Sequence, residues 1–225
     1  MRRRTSIALL AVGHACVDVY QGAVAALVPF FVAERDYTYA AASAIVLAAS
    51  LVSSIVQPLF GALTDRWSMP WLVPVSTVLG GLGVALGGVS ENYVLTLIFI
   101  GVSGIGVAAY HPEGARLART ASAGSHTAMA WFSTGGNVGF ALAPVVVGLS
   151  VGIGGLALTP ALVLPALVGA VLTLPVVRVL TRQVATSRTT ATPVRPDDWS
   201  SFGRLSLAVA TRSIAFVGLG AFVSL

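Results

Sequence analysis

The strongest constraint on this chain is a succession of long apolar segments separated by short polar turns. A helix needs about 20 mostly apolar residues to cross a bilayer, because its backbone polar groups find no water there and must bond internally. Six such segments are readable, from about Ser6 to Val32, Tyr39 to Leu63, Pro70 to Val89, Asn92 to Leu117, Thr127 to Val151 and Leu156 to Leu180. Hydrophobic residues make up 56% of the 225 and charged residues only 9%, against about 25% charged in soluble domains. Mean hydropathy is +0.89. A soluble core of this size has no room for so much apolar surface. The segments therefore predict an all-α membrane protein, a helix bundle whose loops are too short to carry an inserted soluble domain.

The formal charge is +5, and every basic residue is an arginine. The arginines sit between the apolar segments, not on one soluble face, which argues against nucleic-acid binding. A single cysteine, Cys16, excludes an intramolecular disulfide. The opening Arg2, Arg3 and Arg4 resemble the start of a secretion signal, but the apolar stretch behind them continues to Val32, too long for a cleaved signal core. With the amino terminus inside the cell, the inner segments hold Arg2, Arg3, Arg4, Arg66, Arg116, Arg119, Arg178, Arg182, Arg188, Arg195 and Arg204, and the outer loops hold Arg35 alone. That asymmetry predicts a multi-pass protein of the cell (inner) membrane with a cytoplasmic amino terminus.

Three regions follow. Residues 1–180 read as a six-helix transmembrane bundle, 181–204 as a polar cytoplasmic linker rich in Thr and Ser, and 205–225 as the start of a seventh helix. That helix is cut at Leu225, so the expectation is a fragment or truncated product whose other six-helix half is missing. Gly83 with Gly87, and Gly135 with Gly139, are spaced to let helix backbones approach.

Polar groups inside membrane helices are costly and tend to mark function. His14, Asp18 and Gln21 share one face of the first helix at i, i+4 and i+7, flanked by Tyr20. Asp18 falls near mid-membrane and suits a proton site, with His14 beside it to share or tune the proton; simple pairing of the two is the structural alternative. The fourth segment ends in His111, Pro112, Glu113 and Arg116. The proline should disturb the helix and free carbonyls near the side chains, and Glu113 is spaced to pair with Arg116. No metal is expected, since His111 and Glu113 lack the spacing of a helical zinc pair and further ligands are remote in sequence; no cofactor is expected either. The fifth segment adds Trp131 and Asn137, the latter read as buried and lining a cavity or joining helices. The second carries Gln57 and Pro58.

The first and fourth helices each carry a histidine with an acid close by and each open a three-helix set. This suits inverted repeats of three helices with the site at their interface.

The turn between the second and third segments, with Gly61 followed by Asp65 and Arg66, resembles the signature loop of the major facilitator superfamily. The further basic residues often found there are replaced by Trp67, Ser68, Met69 and Pro70. Gly135, Gly139, Pro144 and Gly148 resemble a degraded form of the superfamily's antiporter motif, with Ala143 and Val147 in place of glycines. HACVDVYQGAVAALVPFFV, SSIVQPLFGALTDR, GIGVAAYHPEGARLA and WFSTGGNVGFALAP together resemble the fosmidomycin-resistance subfamily, over nearly the whole chain to Leu180. The resemblance implies two six-helix halves around a cavity and proton-driven efflux of small organic molecules or drugs. On that reading Asp18 and His14 couple the proton, and Gln21, Tyr20, His111, Glu113, Asn137 and Trp131 line the substrate cavity. Gly61, Asp65, Arg66 and Arg116 gate. The expected partners are a small-molecule substrate, protons, the lipid bilayer and the second half. Alternatives are a non-transporting half that needs a partner bundle, and an importer of a small metabolite. An intramembrane enzyme built on His111 and Glu113 lacks a nucleophile–base pair or a ligand set.

Overall fold

The computed structural model describes the backbone of residues 3–187 and 198–223, and the side chains of 3–182 and 198–215. Arg2, Arg188, Arg195 and Leu225, used in the sequence reading, lie outside the described residues. The described helices are α1 (Arg3–Ala26), α2 (Val28–Arg35), α3 (Tyr39–Arg66), α4 (Leu72–Val89), α5 (Tyr93–Ser122), α6 (His126–Val151), a 3-10 segment (Gly155–Leu162), α7 (Val163–Ser187) and α8 (Trp199–Val223). There is no strand among the described residues. Six stretches are long and apolar enough to cross a membrane: Arg3–Ala26, Tyr39–Arg66, Leu72–Val89, Tyr93–Ser122, His126–Val151 and Gly155–Arg182. The all-helical reading and its apolar segments are therefore as expected.

The turns that separate the segments carry the chemistry that starts helices. Thr38 caps α3 by accepting from the Ala41 N–H at 3.2 Å, and Asn92 caps α5 by accepting from Val94 and Leu95 at 2.9 and 3.1 Å. Ser125 caps α6 through the Ala128 N–H at 3.3 Å. Each side-chain oxygen satisfies a donor that has no partner within its helix.

Two segments expected as single helices are not. The first breaks at Leu27, and α2 restarts with Pro29 in its opening turn. Proline has no N–H to give to the preceding turn, so it fits a helix start better than a helix interior. The sixth begins as the 3-10 stretch Gly155–Leu162, with Pro160 inside it, before becoming α-helical. Pro112 has a milder effect than expected, since α5 runs unbroken through it.

Helix α1 is the centre of the first compact unit, Met1–Thr186. It packs along α6 and also touches α5, α4 and α3. The approach to α6 is close because Gly135 and Gly139 lie against the carbonyls of Ala11 and Ala15. Gly83 and Gly87 do the same work between α4 and α5, where a side chain on Gly83 would meet Phe99 O at 2.6 Å. On its other flank α1 meets α7 through Gly13 on Thr173 and Cys16 on Gly169. Buried Tyr20 donates its hydroxyl to the Leu162 carbonyl at 2.7 Å, tying α1 to the end of the 3-10 stretch.

The end of the bundle that carries Arg35 is laced by side-chain to backbone bonds. Glu34 accepts from the Leu156 N–H at 2.9 Å, and Arg35 reaches the Gly88 and Val89 carbonyls at 3.5 and 3.4 Å. Gly155 takes φ +68° beside the Glu34 carboxylate, a conformation that L side chains disfavour.

The second unit, Ser187–Leu225, contains α8. This helix opens at Trp199, ahead of the Leu205 start read from hydropathy, because Asp198 caps it by accepting from the Ser201 N–H at 2.9 Å.

Candidate functional site

The chemistry gathers where α1, α5 and α6 meet. His14 and Asp18 are one helical turn apart on α1, with Nε2 of His14 3.3 Å from Oδ2 of Asp18. From α5, Nε2 of His111 approaches Oδ1 of the same carboxylate to 3.2 Å. His14 and Asp18 are buried, each 8% exposed. One carboxylate thus sits between two imidazoles from different helices. Neither approach is an aligned hydrogen bond, and Asp18 Oδ1 is buried without one.

The outer nitrogens of both rings are committed. His14 Nδ1 lies 2.9 Å from the Phe132 carbonyl, and His111 Nδ1 lies 2.7 Å from the Val107 carbonyl. A carbonyl oxygen only accepts, so each Nδ1 must carry the proton. In a neutral ring Nε2 is then a bare lone pair, and both lie beside the Asp18 oxygens. A proton on either Nε2 would turn the repulsion of lone pair and carboxylate into an ion pair.

The walls hold this arrangement. Phe132 of α6 stacks on the His14 ring at 4.3 Å between centroids, with Tyr110 at 5.7 Å. Gly136 closes the α6 side, where an added Cβ would stand 2.5 Å from Asp18 Oδ2 and 2.7 Å from His14 Nε2.

The same three groups form the one His/Cys/Asp/Glu cluster among the described residues whose ligand atoms lie close enough to hold a metal ion, all within 4.8 Å of one another. Ligands remote in sequence are thus neighbours in space: folding brings His14 and Asp18 to His111. Two neutral imidazoles and one carboxylate sum to −1, which a proton would neutralise and a divalent ion would carry to +1.

The expected cluster of His111, Glu113 and Arg116 divides. His111 turns to α1, whereas Glu113, fully buried, forms an ion pair with Arg116. Arg116 also donates to the Ser68 hydroxyl at 2.7 Å, fastening α5 to the turn between α3 and α4. Glu113 is therefore not open to a cavity. Tyr20 is fully buried with its hydroxyl bonded to Leu162, yet it borders the same cleft as Gln21. Asn137, read as buried, is exposed. The burial of Gly136 and Gly139 against α1 turns Asn137 away from it. Trp131 is 64% exposed and borders a recess of about 640 Å³ at the arginine-bearing end, with Arg3, Arg4 and Thr127. That recess holds no His, Asp or Glu among its lining residues. Asp65 and Arg66 are exposed, and Gly61 has open space beside it.

Gln21 lines a different cleft, between α1, α3 and α5, of about 150 Å³. Its serines were missed in the sequence, as were Gly136, Phe132, Tyr110 and Ser68. Only Gly136 left a local signal, the Gly135–Gly136 pair.

The Major Facilitator Superfamily model matches residues 10–225. This chain belongs to that superfamily. Among characterised relatives of the superfamily, the fosmidomycin resistance protein of Escherichia coli (strain K12) is 32% identical over 149 residues, covering 64% of this chain and 37% of that protein. The uncharacterized MFS-type transporter YfnC of Bacillus subtilis (strain 168) is 31% identical over 146 residues, covering 63% of this chain and 35% of that protein. The matched region thus spans about a third of the length of these relatives. Among solved structures, a bacterial homologue of the human drug peptide transporters PepT1 and PepT2 superposes with a TM-score of 0.60 at 19% identity, covering 96% of this chain and 49% of that one. At that identity the likeness concerns the fold, which is the major facilitator fold.

Proposed function

We propose that this chain forms one half of a secondary active transporter that exports small organic molecules in exchange for protons, with the proton held among His14, Asp18 and His111. The observation that carries the reading is the pair of backbone-anchored histidines aiming Nε2 at one buried carboxylate. With a proton present, α1 and α5 are drawn together through Asp18 and His111. Without it, lone pairs and carboxylate repel, and the contact between the helices weakens. Protonation then changes which arrangement of the bundle is favoured, as coupling requires.

Efflux is supported by the similarity to the fosmidomycin resistance protein. Insertion in the cell membrane with a cytoplasmic amino terminus is supported by the distribution of arginines. A transport path needs a second bundle to face this one. Asp65 and Arg66, exposed beside Gly61, are free to latch to it at the gate, while Arg116 holds their turn through Ser68.

The test is the full-length protein in everted membrane vesicles, with fosmidomycin as the first trial substrate in a wider panel of small organic molecules. Asp18→Asn keeps the shape but cannot ionise. It should abolish pH-gradient-driven uptake into the vesicles while leaving counterflow exchange of unlabelled for labelled solute. Undiminished gradient-driven transport in this variant would remove Asp18 from the coupling role.

A further inference from the structure

We propose that the cleft between α1, α3 and α5 is a recognition site for an uncharged, hydroxyl- or amide-bearing part of the solute. Its polar lining is Gln21, Ser50, Ser53, Ser54, Gln57 and Ser103, with no charged residue among the groups that border it.

The pattern on α3 sets this face apart. Leu47, Leu51, Ile55 and Leu59 recur every fourth residue as an exposed apolar stripe, suited to lipid or to another apolar helix. Ser50, Ser54, Gln57 and Gly61 form a second stripe roughly a right angle away around the helix. A row of hydroxyls and an amide is a poor surface for hydrocarbon.

The state of those hydroxyls points to a ligand. Serine and threonine inside membrane helices commonly bond back to their own helix. They do so here at Thr77 to Val73 O, 2.8 Å, at Thr134 to Ala130 O, 2.9 Å, and at Thr173 to Gly169 O, 2.8 Å. The hydroxyls of Ser50, Ser53, Ser54 and Ser103, and the amides of Gln21 and Gln57, have no such partner among the described residues. Ser103 is the telling case. It is 1% exposed, borders the cleft, and its hydroxyl makes no hydrogen bond to any described residue, which leaves it for a group seated in the cleft.

The floor is rigid. Gly104 of α5 lies against the backbone of α3, where an added Cβ would stand 2.8 Å from the Ala49 carbonyl. Val107 borders the cleft and its carbonyl accepts from His111 at 2.7 Å. A solute seated here therefore presses on the same turn of α5 that orients the proton site. The volume, about 150 Å³, is below the 300–1,000 Å³ or so of drug-sized sites, so it takes a small polar group, with the remainder of the solute outside. Lacking any cation, it offers an anion no counter-charge, and lacking any acid, it offers none to a cation.

This inference rests on the transporter reading and is tested by a binding readout independent of transport. The full-length protein, in its native membrane and carrying Cys16→Ser and Ser54→Cys, is labelled with a hydrophilic thiol reagent in the presence of inositol, phosphate or tetramethylammonium. We expect inositol to slow labelling, about tenfold at ten times its dissociation constant, and the two ions to leave it unchanged. Adding Ser103→Ala with Gln57→Leu should leave the unprotected labelling rate alone and remove the protection. Protection by phosphate or tetramethylammonium instead, absence of protection by inositol, no labelling of Ser54→Cys, or protection that survives the double substitution would each overturn the assignment. Absence of pH-driven flux in the unsubstituted full-length protein, with protection retained, would refute the transporter reading and leave the cleft standing as a binding site.

Discussion

Nε2 of His111 on α5 lies 3.2 Å from Oδ1 of Asp18 on α1. This one contact joins helices that open the two three-helix sets of the chain, and it closes a buried carboxylate between two imidazoles. Because His14 holds the other oxygen at 3.3 Å, the three side chains should behave as a unit. His111→Gln alone and Asp18→Asn alone should each impair pH-gradient-driven transport. In thermal unfolding the double variant should be little less stable than either, giving a coupling energy of about 1–3 kcal/mol in a double-mutant cycle of unfolding free energies. Additive losses would mean that the two residues act separately.

Gly136 offers a steric test of the same site. A methyl group there would collide with Asp18 Oδ2 and His14 Nε2, while Gly148 has nothing within 4 Å. Gly136→Ala should lower stability by about 1–3 kcal/mol through overpacking and depress transport. Gly148→Ala should be neutral or slightly stabilising. Thermal unfolding of the detergent-solubilised protein, followed alongside flux, separates the two positions.

Glu113 is fully buried and depends on Arg116 for its charge balance. Arg116→Ala strands that carboxylate and also loses the Ser68 bond. The expected cost is about 3–5 kcal/mol, typical of a buried pair with one partner removed. Arg116→Ala together with Glu113→Leu should recover much of it, which the melting temperature of each variant will show.

Tyr20 spends its hydroxyl on the Leu162 carbonyl at 2.7 Å. Tyr20→Phe should destabilise by about 1–3 kcal/mol, since a buried carbonyl is left unpaired. If the 3-10 stretch Gly155–Leu162 is held mainly by this bond and by Glu34, amide exchange across residues 155–162 should quicken in Tyr20→Phe and more so with Glu34→Ala. Unchanged exchange would place the anchor elsewhere.

What could be read without the structure follows from physics that acts locally. Apolar length marks the membrane segments, because every residue in lipid contributes to the same transfer free energy. Thr38, Asn92 and Ser125 mark helix starts, because a cap needs only its own next turn. His14 and Asp18 are legible as neighbours, since i and i+4 share a helix face. The breaks at Leu27 and over Gly155–Leu162 were less visible. Prolines also stand inside intact helices at Pro58, Pro112, Pro144 and Pro175, so proline alone does not say which helix yields.

Local pattern is enough to make the chain a bundle of membrane helices, and to put a carboxylate and a histidine together inside the first of them. What faces them depends on how the helices pack. Packing brought His111 to Asp18 and sent Glu113 to Arg116 instead. It left Asn137 exposed and set Ser103 against a polar cleft. The reason is that helical periodicity defines which residues share a face, whereas the rotation of each face toward a neighbour is set by close packing, here by glycines at which α6 meets the backbone of α1 and α5 meets that of α4.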